Sequence, residues 1–204
     1  MYIVIEGQDG TGKSTQARLL KEHYEKQGKE AVVMDEPDGD LPSAHDIHDL
    51  IVIRGKEYNL EPMTNLALFT AARSELWRKI AEPVLKRGGV VISARNWWSS
   101  LAYQGYGEGL SRSKIIKLTH EAMPDKYCTP DKSVILTVPD AVRLGRQGTR
   151  GKAVETFEAK VGDFQQRVNS AYPKIAKEFN VPIIDASGTI EEVFNLILRE
   201  LRIV

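Results

Sequence analysis

Five short apolar runs recur along the chain, and segments with helical periodicity separate them. Runs of this length, rich in Val and Ile, are typical of strands buried on both faces of a parallel sheet. Strands that alternate with helices form right-handed crossovers, which place helices on both faces of the sheet. The pattern therefore predicts a three-layer α/β fold with a five-stranded parallel sheet. The predicted strands are residues 2–5, 31–34, 90–93, 133–138 and 181–185.

The helical segments between the strands are bounded by glycines and by polar capping residues. Gly28 and the pair Gly88-Gly89 are placed to end two of these helices. Ser43 and Thr189 carry hydroxyls that can cap helix starts. The predicted helices are residues 13–27, one that begins near Ser43, 61–86, 99–104, 113–120, one that ends near residue 179, and one that begins after Thr189.

The composition indicates how many domains the chain forms and in which compartment it is expected. A chain of 204 residues fits one domain spanning 1–204, and its 28 Lys and Arg balance 28 Asp and Glu. This balance leaves no net field that would attract nucleic acid or a membrane. The single cysteine, Cys128, excludes an internal disulfide and is typical of a reducing compartment. Because the first strand begins at residue 2, we expect no signal peptide. The single cysteine indicates a cytoplasmic location, and the balanced charge leads us to expect neither a nucleic-acid nor a membrane partner.

The loop after the first strand carries the strongest chemical signal. Residues 7–14, here called the phosphate loop, fit G-x-x-x-x-G-K-[ST] between a predicted strand and a predicted helix. Its glycines let successive N–H groups converge on a phosphate at the helix start. We predict that Lys13 binds the β- and γ-phosphates of ATP and is catalytic, and that Ser14 ligates Mg²⁺. The residues predicted to bind ATP are Gly7, Gln8, Asp9, Gly10, Thr11, Gly12, Lys13, Ser14, Thr15 and Arg143.

Further cations follow the later strands at the same edge of the sheet. Phosphoryl transfer depends chiefly on positioning and on charge neutralisation. Arg95 directly follows the third strand, where it could bind an acceptor phosphate, and residues 141–155 form a basic, glycine-containing segment that could close as a mobile lid. We predict Arg95, Arg146 and Arg150 to be catalytic. On the residues alone, a surface ion pair for Arg95 and a solvated basic loop for the lid remain alternatives.

Several motifs accompany the phosphate loop. They are the pair Glu36-Pro37 after the second strand, Phe69 and Arg73 four residues apart on one helical face, Arg95 with Ser99, Tyr103 and Gln104 beyond it, and the basic end of the lid segment. In this combination, over nearly its whole length, the chain resembles the thymidylate kinases, which phosphorylate dTMP with ATP. The resemblance implies a P-loop kinase fold, the products dTDP and ADP, Mg²⁺ as cofactor and a homodimer.

The resemblance also implies the composition of an acceptor site. Phe69 would stack on thymine, Arg73 would bond a thymine carbonyl, and Arg95 would bind the dTMP phosphate. Tyr103 would pack where a ribose 2′-OH falls, and would thereby select the deoxy sugar. The implied substrate-binding residues are Asp9, Glu36, Pro37, Phe69, Arg73, Arg95, Ser99, Ser100, Tyr103 and Gln104.

Two positions depart from the pattern of that family. Ala94 stands where the family has Asp, and Asp35 stands where the family usually has Arg. In P-loop enzymes an acid at the end of the third strand commonly helps to hold the metal, so its loss puts metal affinity and turnover in doubt. Candidates to compensate are Asp9, Glu36 and the carboxylates Glu155 and Glu158. We predict Ser14 and Asp9 as the metal-binding residues.

These departures leave alternative functions open beside dTMP kinase activity. One is a kinase for a different nucleoside monophosphate. Another, motivated by Ala94, is a regulator that binds nucleotide but has lost catalysis. A nucleic-acid motor is disfavoured by the balanced charge and by the missing acid.

Two stretches after Arg95 are less clearly specified. Trp97 and Trp98 could line the acceptor pocket or pack in the core. Residues 104–109 superficially match a glycine-rich dinucleotide motif, but no strand precedes them, so we predict a flexible loop there.

Overall fold

A five-stranded parallel sheet forms the centre of the fold, which confirms the predicted fold class. The structure is a computed structural model that describes residues 1–38, 41–148 and 163–203. Neighbouring strands are parallel in the order β2-β3-β1-β4-β5. The strands are β1 (Tyr2–Gly7), β2 (Ala31–Asp35), β3 (Val90–Ala94), β4 (Lys132–Thr137) and β5 (Ile183–Asp185).

Helices cover both faces of this sheet. Short π-helical segments continue three of them: Asp49–Ile53 follows α2, Trp77–Ala81 joins α4 to α5, and Leu101–Gly107 follows α6. Among the described residues, no helix combines the length and the apolarity needed to span a bilayer. The helices are α1 (Lys13–Lys26), α2 (Pro42–His48), α3 (Gly55–Tyr58), α4 (Pro62–Leu76), α5 (Glu82–Lys86), α6 (Trp98–Ser100), α7 (Arg112–Ala122), α8 (Asp125–Cys128), α9 (Asp140–Gly148), α10 (Asp163–Phe179) and α11 (Ile190–Glu200).

The sheet separates two hydrophobic cores. Tyr2 and Val4 of β1 pack into one core, whereas Ile3 and Ile5 pack into the other. This follows from the alternation of side chains along a strand, and it explains why the whole run 2–5 is apolar. The carboxyl ends of the strands therefore project from a sheet whose central strands β1 and β3 are buried along their whole length.

Most helix boundaries lie where the caps predict them. Gly28 follows α1 with φ 74°, and Thr189 forms a capping box with Glu192 at the start of α11. The predicted cap at Ser43 is wrong, because α2 begins at Pro42 and Leu41 is its N-cap residue. Proline is favoured in this first position, where its missing N–H costs no hydrogen bond.

The prediction of a flexible loop at residues 104–109 is also wrong for its first part. Gln104 and Gly107 lie in the π-helical segment that follows α6, and both are buried. A Cβ added at Gly107 would lie 2.5 Å from the Phe164 ring on α10. Glycine is therefore required here for close packing against α10, not for flexibility.

Candidate active site

The phosphate loop forms a cradle of backbone at the start of α1. Gly7, Gly10 and Gly12 have φ angles of 144°, 81° and 90°. A Cβ added at Gly7 would lie 2.1 Å from the Leu136 carbonyl oxygen on β4, so only glycine fits beside that strand. Lys13 is buried, and its ammonium donates to the Gln8 carbonyl oxygen at 2.6 Å. The loop thus holds a cation and converging N–H groups at the helix start.

Two cavities adjoin this loop. The first, here called the loop cavity, is lined by Asp9, Gly10, Gly12, Lys13, Ser14, Thr15, Asp35 and Arg95. The second, the outer cavity, is lined by Gly10, Thr11, Gly12, Thr15, Gln16, Arg146, Ala186, Gly188, Ile190 and Val193. A nucleotide with its phosphates in the loop cavity has room for its base in the outer cavity.

The structure places the predicted lid cations differently from one another. Arg146 lines the outer cavity, where its guanidinium donates to the Ala186 carbonyl oxygen at 2.9 Å. Arg143 is buried on α9 and donates to the Asp140 carboxylate at 3.1 Å. Arg150 lies outside the described residues, as do residues 149–155, the remainder of the predicted lid. The described part of the lid segment is therefore helical and lies on the outer-cavity side of the phosphate loop.

A third cavity, here called the aromatic pocket, lies on the other side of the phosphate loop. Most of the residues predicted to bind the acceptor line this pocket. His48 and Val52, from α2 and the segment after it, complete the wall, and no motif in the sequence pointed to them. The lining residues are Asp9, Pro37, His48, Val52, Phe69, Arg73, Arg95, Ser99, Tyr103 and Gln104.

Arg95 occupies a strained backbone position between the aromatic pocket and the loop cavity. Its φ of 92° is one that non-glycine residues rarely adopt, and such positions cost about 1–3 kcal/mol. The Arg95 amide donates to the Ile5 carbonyl oxygen at 3.1 Å, and its own carbonyl accepts from the Ser93 hydroxyl at 2.7 Å. Its guanidinium contacts the Asp9 carboxylate and donates to the Ser99 hydroxyl at 3.2 Å. The surrounding structure thus fixes the cation before any ligand binds.

Glu6 anchors this turn, although the sequence analysis did not identify it. It is fully buried at the end of β1 and accepts from the Asn96 amide at 3.0 Å and from the Ser99 hydroxyl at 2.9 Å. The Arg95 guanidinium lies 3.9 Å from the same carboxylate. The one available signal was a carboxylate inside an otherwise apolar strand, which is costly unless it is paired.

Arg73 is held in the aromatic pocket by groups behind it. Its guanidinium donates to the Glu36 carboxylate at 2.9 Å and to the Ser100 hydroxyl at 2.8 Å. Glu36 also accepts from Tyr127 at 2.8 Å and from Ser93 at 2.9 Å. Burial raises the pKa of Glu36 to about 7, against the opposing effect of these donors. Glu36 and Ser100, predicted to touch the substrate, therefore orient Arg73 and do not line the pocket.

The remaining pocket wall presents one ring and one buried amide. The Tyr103 hydroxyl donates to the Asp9 carboxylate, and its ring lies over the Arg95 guanidinium with 5.7 Å between centres. Gln104 is almost fully buried, and its Nε2 has no hydrogen-bond partner within the described part of the chain. A buried donor left unpaired costs about 1–3 kcal/mol, so a ligand acceptor at this point would be favourable.

The structure resolves the position of the two tryptophans and of the cysteine. Trp97 and Trp98 are buried against Phe179, each with its ring centroid 5.3 Å from that of Phe179, and neither lines the aromatic pocket. They pack in the core, which was one of the two predicted alternatives. Burial raises the pKa of the Cys128 thiol to about 11, which leaves it protonated and poorly nucleophilic at neutral pH.

The two residues predicted to bind metal have different neighbours. Both carboxylate oxygens of Asp9 are engaged on the aromatic-pocket side, one by Arg95 and the other by Tyr103. Ser14 instead donates to the Asp35 carboxylate at 3.3 Å. Burial raises the pKa of Asp35, and the Ser14 hydroxyl and the Lys13 ammonium oppose that shift. Asp35 is therefore the described carboxylate that contacts the Ser14 hydroxyl of the phosphate loop.

Comparisons with known proteins agree with this geometry. A family model described as thymidylate kinase matches residues 5–197. A probable thymidylate kinase of Thermococcus onnurineus is 36% identical over 96% of this chain and 94% of that protein, and a thymidylate kinase of Cereibacter sphaeroides is 38% identical over 94% and 89%. A crystal structure of thymidylate kinase from Ehrlichia chaffeensis superposes with a TM-score of 0.76 at 28% identity, covering 100% of this chain and 98% of the other.

Proposed function

The chain belongs to the thymidylate kinase family, and we propose that it transfers the γ-phosphoryl group of ATP to dTMP, giving dTDP and ADP. The observation that supports this most directly is the continuity of two cavities. Asp9 and Arg95 line both the loop cavity and the aromatic pocket. A donor triphosphate and an acceptor monophosphate can therefore meet at Arg95.

The transfer step needs the acceptor phosphate oxygen to attack the γ-phosphorus while the bond to the β-phosphate oxygen breaks. Lys13 neutralises the β- and γ-phosphates, and Arg95 holds the acceptor phosphate in line with them. When bound, Mg²⁺ would add charge neutralisation on the donor phosphates. Hydroxyl and carboxylate oxygens suit this ion, and Ser14 with a neighbouring carboxylate would hold it. Such preorganised charges do most of the catalytic work in phosphoryl transfer.

Recognition of the base follows from the walls of the aromatic pocket. The Phe69 ring lies against the Arg73 guanidinium with 5.6 Å between centres, so stacking and hydrogen bonding can act on one base together. Arg73 donates to a thymine carbonyl, and the Gln104 amide supplies a further donor. Tyr103 closes the pocket beside Asp9, where it excludes a ribose 2′-OH. The pocket thus favours a pyrimidine deoxynucleotide that presents carbonyls to Arg73.

Acceptor profiling tests this proposal. We expect kcat/KM for dTMP to exceed that for dUMP by about 10- to 200-fold, because one methyl group in an apolar pocket contributes that much. Discrimination against dCMP should be larger, since its amino group opposes the donors of Arg73. Thymidine should give no product, because it lacks the phosphate that Arg95 binds.

Coupled ADP release and chromatography of the products supply the measurement. If dTMP gives no more product than dUMP, dCMP or dGMP, the acceptor assignment fails and a different monophosphate kinase is indicated. Tight ATP binding without turnover on any acceptor would instead support the nucleotide-binding regulator. The homodimer implied by the resemblance and the cytoplasmic location expected from the sequence stay predictions.

Phe69→Ala is expected to raise the KM for dTMP by about tenfold to a hundredfold, the scale of base stacking on an aromatic ring. The KM for ATP should change little, because Phe69 lines the aromatic pocket and not the cavities beside the phosphate loop. Phe194→Ala is the matched control, since Phe194 packs into the other core on α11. A larger increase in the KM for ATP than in the KM for dTMP would show that we have assigned the donor and acceptor sites the wrong way round.

A further inference from the structure

The two sequence departures from the family pattern fall on one pair of residues. Asp35 ends β2 and Ala94 ends β3, and these two residues are partners in the parallel register of the sheet. Neighbouring strands lie about 4.8 Å apart, so the two positions present side chains to adjoining points of the same edge. An acid missing from one position is thus supplied at the position beside it.

The Asp35 carboxylate reaches the phosphate loop from this position. Its Oδ1 accepts a hydrogen bond from the Ser14 hydroxyl at 3.3 Å, and both residues line the loop cavity beside Lys13. A hydroxyl that gives its proton to a carboxylate keeps its oxygen lone pairs directed elsewhere, where a cation can take them. Asp35 therefore orients Ser14 as a metal ligand.

The other candidate carboxylates have different partners. Asp9 is engaged by Arg95 and Tyr103, and Glu36 by Arg73, Ser93 and Tyr127. Glu155 and Glu158 lie outside the described residues. Within the described ranges, no cluster of three His, Cys, Asp or Glu side chains forms a separate metal site. Among the described carboxylates, that of Asp35 accepts the hydrogen bond from Ser14, so a metal held by Ser14 and the nucleotide phosphates would have this acid beside it.

We propose that Asp35 supplies the carboxylate that holds Mg²⁺ together with the Ser14 hydroxyl. P-loop enzymes use a carboxylate and the loop hydroxyl in this way. In this chain the carboxylate has moved from the end of β3 to the register partner of that position on β2. The inference rests on the proposed function, because it concerns the metal that accompanies ATP. It explains how a chain with Ala94 can retain a complete phosphate site. It also gives a reason for an acidic residue at a position that faces bound phosphates.

Metal binding to the enzyme–ADP complex tests the proposal without any acceptor. Free Mn²⁺, used in place of Mg²⁺, is counted by its electron paramagnetic resonance signal. We expect Asp35→Asn, which preserves the shape of the side chain, to weaken Mn²⁺ binding about 10- to 100-fold. Binding of ADP in the presence of a chelator should be unchanged or tighter, because a negative charge beside the phosphates has been removed. A merely structural role would weaken both.

Asp38→Asn is the matched control, since Asp38 lies in the loop that directly follows Asp35 but pairs with His45 at 2.6 Å on an exposed surface. It should leave Mn²⁺ binding unchanged. The double variant Asp35→Asn/Ala94→Asp should recover most of the lost affinity, because it returns the carboxylate to the paired strand end. Three results would each overturn the proposal. They are an unchanged Mn²⁺ affinity in Asp35→Asn, an equally large loss of ADP binding measured with a chelator present, and no recovery of Mn²⁺ affinity in the double variant. Failure to phosphorylate dTMP would leave these measurements interpretable and would count against the acceptor assignment alone.

Discussion

Lys13→Met should lower kcat with ATP and dTMP by about a thousandfold or more while the protein remains folded. The methionine keeps most of the buried stem of the lysine but carries no charge to the β- and γ-phosphates. Removal of one preorganised charge contact from a transition state typically costs a factor of about 10² to 10³, and cations at a transferring phosphoryl group can contribute 10³ to 10⁵. Because the β-phosphate gains negative charge as its bond to the γ-phosphorus breaks, kcat should fall more than ATP binding does.

The measurement is ADP release at saturating substrates, with thermal unfolding recorded on the same samples. Lys21→Met is a suitable control, because Lys21 lies on the same helix and forms a surface pair with Glu25 at 2.8 Å. The Lys21→Met variant should keep the kcat of the unaltered protein, because the Lys21 ammonium does not contact the phosphates. Its stability should also change little, because surface ion pairs contribute little to stability. A Lys13→Met enzyme with kcat close to the control would contradict the mechanism.

The sequence was sufficient to predict those features that depend on residues close together along the chain. A short run such as 2–5, apolar, β-branched and followed by a glycine loop, is typical of a strand buried on both faces, and the spacing of Gly7, Gly12 and Lys13 has few purposes besides binding phosphate. Phe69 and Arg73 share a helical face at any plausible helix boundary. These features were predicted correctly as structure because each depends on residues within a few positions of one another.

Features that depend on distant residues could not be predicted in this way. Glu36 accepts a hydrogen bond from Tyr127, which is 91 positions away. The sequence around either residue does not indicate that the two are in contact. Gly107 is in a helical segment because Phe164 packs against it, although its own sequence context favours a loop. The register that pairs Asp35 with Ala94 depends on the order of the strands, which the periodicity of the chain does not specify.

Asp9 shows that adjacency in sequence does not specify which groups a side chain contacts. It was predicted to bind metal because it lies in the same loop as Ser14 and carries a carboxylate. In the structure its oxygens contact Arg95 and Tyr103, whereas the Ser14 hydroxyl contacts Asp35, although Asp9 and Ser14 both line the loop cavity. The role of a loop residue depends on the turn between it and its neighbour as much as on its chemistry.

Arg95→Ala is expected to lower kcat/KM for dTMP by about 10³- to 10⁵-fold, the range found for a cation that neutralises a transferring phosphoryl group. Arg95 lines both the loop cavity and the aromatic pocket, so its loss weakens acceptor binding and the alignment of the acceptor with the donor. Arg95→Lys should recover only part of the rate, because an ammonium cannot contact Asp9, Ser99 and a phosphate with a planar fork. Product formation at varied dTMP and saturating ATP gives these values, and a kcat/KM near that of the unaltered protein would contradict the assignment.

Arg95→Gly separates the function of the side chain from the strain of its backbone. Both Arg95→Gly and Arg95→Ala remove the guanidinium and leave Asp9 without that partner, so their losses of activity should be equal. They differ in backbone preference, because φ of 92° is open to glycine and costly for alanine. The glycine variant should therefore be more stable than the alanine variant by about 1 kcal/mol, measured as the free energy of unfolding in urea. Equal stabilities would mean that the Arg95 backbone relaxes once its side chain is gone, and that the guanidinium contacts hold the strained turn in place.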